Sequence, residues 1–206
     1  MKQSGRPVLT ETEVDERKTA VLNAALQEIA ERGLDSVRIK DVAVAAGCST
    51  GQVQYYFDSR DSLLLAAIRM HSDQVVERIA HAYSEHDTPQ QSLQRLVESY
   101  LYTDSLLFRG ALWLELTAAS FREEKFRESA RHVYESWLRV VTRVIRRGVE
   151  EGDFMPEMTV EEASEAVLAL VDGFEVALLS SGRYSDPKKL EPLITRSVRA
   201  LLGVRT

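Results

Sequence analysis

One cysteine, Cys48, stands alone in 206 residues, so no internal disulfide can form and a reducing, cytoplasmic setting is expected. No apolar run approaches the roughly 18 residues of a membrane span. The polar opening MKQSGRPVLT has no apolar core of a secretory leader, so neither membrane nor export is expected. With only 10 glycines and 5 prolines against 44% hydrophobic and 28% charged residues, the chain is neither low-complexity nor disordered but ordinarily globular. A glycine-rich phosphate loop, a nucleophile elbow and a Cys/His cluster are all missing, so no enzyme, cofactor or metal is expected. His71, His81 and His86 lack the spacing with a carboxylate that a helical metal site needs. Glu123-Glu124 and Glu150-Glu151 read as solvated helix ends rather than paired catalytic acids. Strand signals are absent too.

What is present is helical periodicity from end to end, which predicts an all-α protein of about nine helices. Its most informative stretch is SVRIKDVAVAAGCSTGQVQYYFDSRDSL, Ser36 to Leu63. Ile39, Val42, Ala43 and Ala46 recur at helical spacing, and Gly47 follows where a turn with positive φ suits glycine. Ser49 opens a second helix with Gln52 three residues on, the S-x-x-Q form of a capping box. Val53 and Phe57 face inward there with Tyr56 beside them, while Thr50, Gly51, Gln52, Gln54 and Tyr55 are left outside. Two short helices around a glycine turn, with amide and small side chains outward, form a helix-turn-helix. Glutamine matches the N6/N7 edge of adenine, and threonine can touch a thymine methyl.

The net charge of −6 argues only weakly against DNA, because binding follows where charge lies. Residues 1–60 hold 8 Lys and Arg against 9 Asp and Glu. Lys2, Arg6, Arg17, Lys18, Arg38, Lys40 and Arg60 nonetheless sit where phosphates would pass if the second short helix entered the groove. Gly5-Arg6-Pro7 is similar to a minor-groove AT-hook core, but a lone tripeptide is more readily explained as part of an unstructured tail.

From about Thr12 to Leu65 the chain resembles the N-terminal domain of the TetR family of one-component transcriptional regulators. The residues carrying the likeness are Ile39, Val42-Ala43, Ala46-Gly47 and Ser49, then Gly51, Val53 and Tyr55-Tyr56-Phe57, then Ser59-Arg60-Asp61 and Leu63. The resemblance implies that Tyr55 and Arg60 touch phosphates. Family members usually carry lysine at the latter place, and arginine keeps the charge with a different geometry. The expected DNA-binding set is Arg38, Lys40, Ser49, Thr50, Gly51, Gln52, Gln54, Tyr55, Tyr56 and Arg60.

The expected organisation is an arm at 1–10, a helix-turn-helix domain at 11–58 and a ligand-binding and dimerisation domain at 59–206. The first helix should start near Thr12 or Asp15 and end at Arg32, and the fourth should run from Asp58 or Ser59 to about Ser84 as the connector. Thr88-Pro89 opens a helix to about Leu107, Arg109-Gly110 breaks the pattern, and ALWLELTAAS follows as a short helix. A long amphipathic helix from about Glu123 to Glu151 comes next. The last two, near 159–182 and 187–202, are apolar on more than one face, with Ala163, Ala166, Ala169, Gly173 and Ala177 interspersed. That suits a homodimer, as does a palindromic operator read by two heads about 34–36 Å apart. Family resemblance implies a four-helix dimer interface from the same two helices.

Tyr100, Tyr102, Phe108, Trp113, Phe121, Trp137 and Phe174 concentrate aromatic area in the central helices, with Glu115 the odd carboxylate among apolar neighbours. A small-molecule effector site is expected from Tyr100, Phe108, Trp113, Glu115, Phe121, Trp137 and Phe174, and rings with a carboxylate suit a cation. Taken singly, each ring is more readily explained as core. The surroundings of Trp113 and Val167–Gly182 also resemble the glycine-betaine-regulator branch of the family. The mechanism expected is two-state: a dimeric repressor holds its operator, and effector binding alters the head spacing through the fourth helix. The alternative is a helical dimeric small-molecule-binding or protein-interaction module without sequence-specific DNA binding, which would have no need of Tyr55, Arg60 or the glutamines.

Overall fold

The computed structural model describes residues 10–81, 86–101, 106–181 and 187–204. Lys2, Gly5, Arg6, Pro7, Ser84, Tyr102, Gly182 and Asp186, on which parts of the sequence reading rest, lie outside them. The described residues form nine α-helices and one 3₁₀ turn, with no strand. The chain divides into two compact units, Met1–Met70 and His71–Thr206.

The first unit opens with α1 (Glu11–Arg32), one residue earlier than the nearer of the two expected starts. Thr10 is the reason: its hydroxyl accepts from the Glu13 amide at 3.3 Å while the Glu13 carboxylate accepts from the Thr10 amide at 2.8 Å. A 3₁₀ turn (Leu34–Ser36) leads to α2 (Ile39–Ala45) and α3 (Thr50–Tyr56), then to the first part of α4 (Arg60–His81). Ala25, Ile29, Leu34, Val37, Val42, Val53, Leu63, Leu64 and Ala67 are all buried to about the same depth and make this unit's core.

The second unit consists of the rest of α4 with α5 (Pro89–Leu101), α6 (Leu106–Ser120), α7 (Glu124–Glu150), α8 (Val160–Ser181) and α9 (Pro187–Leu201). Leu106 and Leu107 belong to α6 rather than to the end of α5, and Arg109-Gly110 is no break: both lie inside α6. The physical reason is packing. A Cβ on Gly110 would stand 2.6 Å from Leu179 Cδ1 and 3.0 Å from Glu175 Cγ, so the glycine is where α8 crosses α6 closely. Val75 and Ile79 of α4 join Leu96, Val97, Leu101, Val141, Ile145, Val167 and Ile194 in one buried cluster. α4 therefore contributes side chains to the cores of both units.

Candidate DNA-reading helix and effector site

In the first unit the chain leaves α2 through Gly47, whose φ of 64° is the left-handed turn the sequence asks for. The Cys48 amide then bonds the Ala43 carbonyl at 2.9 Å, closing the turn. Ser49 caps α3 reciprocally with Gln52: the Gln52 amide donates to Ser49 Oγ at 3.2 Å, and Gln52 Oε1 accepts from the Ser49 amide at 3.0 Å. Gln52 is thereby spent partly on the helix itself. Val53 and Phe57 are buried, which leaves Thr50, Gly51, Gln54 and Tyr55 exposed on the outer face. Tyr55 is 82% exposed and stands edge-on to Tyr56 with ring centroids 5.4 Å apart. Tyr56 is half-buried. Arg38 and Lys40, at the opening of α2, are exposed.

Arg60 is placed differently from the others. Its Nε donates to the Val37 carbonyl at 2.7 Å, Nη2 donates to the Leu34 carbonyl, and Nη1 pairs with Asp61 at 2.8 Å. The fork thus serves the backbone around the 3₁₀ turn, whose carbonyls need donors. Burial pushes the Cys48 thiol up, away from the thiolate a redox switch requires.

In the second unit, Tyr100 of α5 and Trp137 of α7 meet edge to face with centroids 6.2 Å apart. Together with Leu96, Val141, Val167 and Ile194 they line a small cavity of about 30 Å3. That is room for a water or so, far below the roughly 300–1,000 Å3 of a ligand pocket. The Tyr100 hydroxyl donates to the Val171 carbonyl of α8 at 3.3 Å, and burial pushes its phenol well above the ordinary value.

The other expected effector residues fall elsewhere. Phe108 stacks edge-on against His71 with centroids 5.4 Å apart. Trp113 and Glu115 are half-buried farther along α6 and do not line the cavity, and Phe174 packs partly buried against the core cluster. Phe121 lies just past the end of α6, 82% exposed, and so stands apart from any site in the core.

Charged groups that sequence reasoning passed over complete the site. Arg109 is only 7% exposed, and its Nη2 lies 3.2 Å from Glu175 Oε1, itself buried. Its guanidinium carbon is 4.4 Å from the Tyr100 ring centroid and 5.4 Å from that of Trp137. Asp172, one turn before Glu175, has its carboxyl pushed up to about 7 by burial and by the Glu175 charge, with Arg109 opposing. His71 is pushed down to about 4 by burial, then by Arg78 and Arg109, and its Nε2 is buried with no hydrogen-bond partner among the described residues. The available signal was two acids three residues apart within the otherwise uncharged stretch 166–179 of α8.

Two family models match this chain, one within each unit. Residues 21–67 match the family model of bacterial regulatory proteins of the tetR family, and residues 89–203 that of the BetI-type transcriptional repressor C-terminal domain. The HTH-type transcriptional regulator BetI of Escherichia coli is 26% identical over 185 residues, 87% of this chain and 90% of that protein. A crystal structure of a transcriptional regulator from Saccharomonospora viridis in complex with choline superposes with a TM-score of 0.82 at 26% identity, covering 93% of this chain and 100% of that one. The regulator FadR from Bacillus subtilis in complex with stearoyl-CoA reaches 0.75 at 19% identity over 90% and 98% of the two chains, a likeness of fold.

Proposed function

The chain belongs to the TetR family of transcriptional regulators, with a C-terminal domain of the BetI repressor type, and from that premise we propose how its residues serve a ligand-responsive DNA-binding repressor. Residues 11–58 bind DNA, with α3 in the major groove and residues 59–206 sensing the effector and dimerising. The observation that carries this reading is the outer face of α3: Gln54 and Tyr55 stand free of the core while Val53 and Phe57 anchor the helix from behind. Gln54 reads a base edge and Thr50 a thymine methyl. Tyr55, Arg38 and Lys40 contact phosphates, which positions the helix without specifying sequence. With Ser49 and Gln52 occupied in capping, their part is to hold the start of α3 in place.

Two copies join through α8 and α9 to read a palindrome. Ala169, Gly173 and Val176 form an exposed stripe of small side chains at helical spacing on α8, which suits close approach of a second helix. The effector proposed is a small organic cation. Around Arg109 the ring faces of Tyr100 and Trp137 combine with the buried Glu175 carboxylate, and the related Saccharomonospora regulator was crystallised with choline. Effector binding biases α4, which contributes Leu63 and Leu64 to one core and Val75 and Ile79 to the other, away from the DNA-bound state.

The test is fluorescence anisotropy on DNA from upstream of the protein's own gene, with salt and choline titrated. Tyr55→Ala should weaken binding to every sequence, and Gln54→Ala should relax specificity. Choline should weaken operator binding by about 5–150-fold, the usual range of allosteric coupling. Identical behaviour of all three proteins on operator and random DNA would defeat the assignment.

A further inference from the structure

Arg109 occupies the very combination of groups that recognises a small cation. Two aromatic faces, at 4.4 and 5.4 Å, a buried carboxylate at 3.2 Å and the Tyr100 backbone carbonyl at 3.1 Å surround its guanidinium. The adjoining cavity of about 30 Å3 cannot hold an organic cation beside it. A second positive charge within about 5 Å would also be repelled in this poorly screened interior.

We propose that Arg109 is the built-in occupant of the effector site, a surrogate cation that holds the Tyr100–Trp137–Glu175 cage and that an organic-cation effector must expel. This rests on the organic-cation reading above and adds to it the mode of regulation. Expulsion exchanges one cation for another, so Glu175 is never left buried and unpaired. It also has a built-in readout. Arg109 Nη2 donates to the Tyr100 carbonyl in the last turn of α5, and the neighbouring Phe108 stacks on His71 of α4, so moving Arg109 uncaps one helix and unsettles a contact on the other. The internal competitor sets the effector threshold, because apparent affinity falls with the fraction of sites that are vacant.

The experiment is isothermal titration calorimetry of choline chloride into the full chain, wild type and Arg109→Ala, with low-millimolar guanidinium chloride as competitor. Removing the surrogate should tighten choline binding by about tenfold or more, and guanidinium should compete in the variant by refilling the vacated cage. If wild type binds choline and the variant binds it equally or more weakly, the surrogate role is overturned while the cation reading stands. If neither protein binds choline or tetramethylammonium, the cation reading falls and the inference with it. Should Arg109→Ala not fold, the Arg109 Nε–H resonance of the wild type decides. Its protection from solvent exchange should be lost on saturation with choline, and protection retained at saturation overturns the proposal.

Discussion

Arg60 and Val37 are joined by a hydrogen bond of 2.7 Å from the guanidinium Nε to the backbone carbonyl, which ties the start of α4 to the residue that leads into α2. A charged donor to a buried carbonyl contributes about 1.5–3 kcal/mol. Arg60→Ala should therefore lower the urea midpoint of the head, whereas Tyr55→Ala, 82% exposed, should leave it unchanged and reduce only DNA affinity. Arg60→Lys should recover part of the loss, since one ammonium cannot span both carbonyls.

The reciprocal cap between Ser49 and Gln52 predicts a cost of about 1 kcal/mol for Ser49→Ala. Because the cap holds the start of α3, which is proposed above to face DNA, the operator dissociation rate should rise as well. Stopped-flow release from labelled operator reads this directly.

Gly110→Ala should destabilise the second unit by about 1–3 kcal/mol through overpacking. The new methyl would press on Leu179 at 2.6 Å and on Glu175 at 3.0 Å, carrying the carboxylate away from Arg109. Thermal unfolding followed by circular dichroism measures the loss, and choline affinity should change with it.

Asp172 and His71 have opposite effects on stability as pH varies. Asp172 titrates at about 7 in the folded chain against an ordinary 3.8, so between those values the folded state retains a proton that the unfolded chain has released. Its contribution is full below pH 3.8 and is lost as pH rises through about 7. His71 titrates at about 4 against an ordinary 6.5, so its contribution is full above 6.5 and is lost as pH falls to about 4. The two slopes offset between pH 4 and 6.5. Relative to wild type, Asp172→Asn should make stability rise with pH in that window, and His71→Gln should make it fall. Urea midpoints taken across the window give both signs.

Phe121→Ser should change neither the free energy of effector binding nor that of unfolding by more than about 0.5 kcal/mol, the usual range for surface sites. The ring is 82% exposed. A calorimetric titration in parallel with wild type is sufficient.

The helix-turn-helix was legible because every signal in it is local. The Ser49–Gln52 box, the positive φ at Gly47 and the inward pair Val53 and Phe57 all act within a few residues, and α3 forms from Thr50 to Tyr56 accordingly. The proposed effector region was legible only as a list of aromatic residues. Tyr100 and Trp137 converge while Phe121 faces solvent, and residue type alone carries no information about which way a ring points.

By itself the sequence determined the helical periodicity, the caps and the amphipathic faces, since these depend on neighbours one to four residues apart. Only the tertiary structure decided what Arg60 and Arg109 do. Each guanidinium is claimed by partners far off in the chain, Leu34 and Val37 for the first and Glu175 for the second. A positive side chain in a sequence is equally ready for phosphate, solvent or a buried carboxylate. Desolvation in the folded core makes the choice, because a buried charge is tolerated only where packing brings its partner to it.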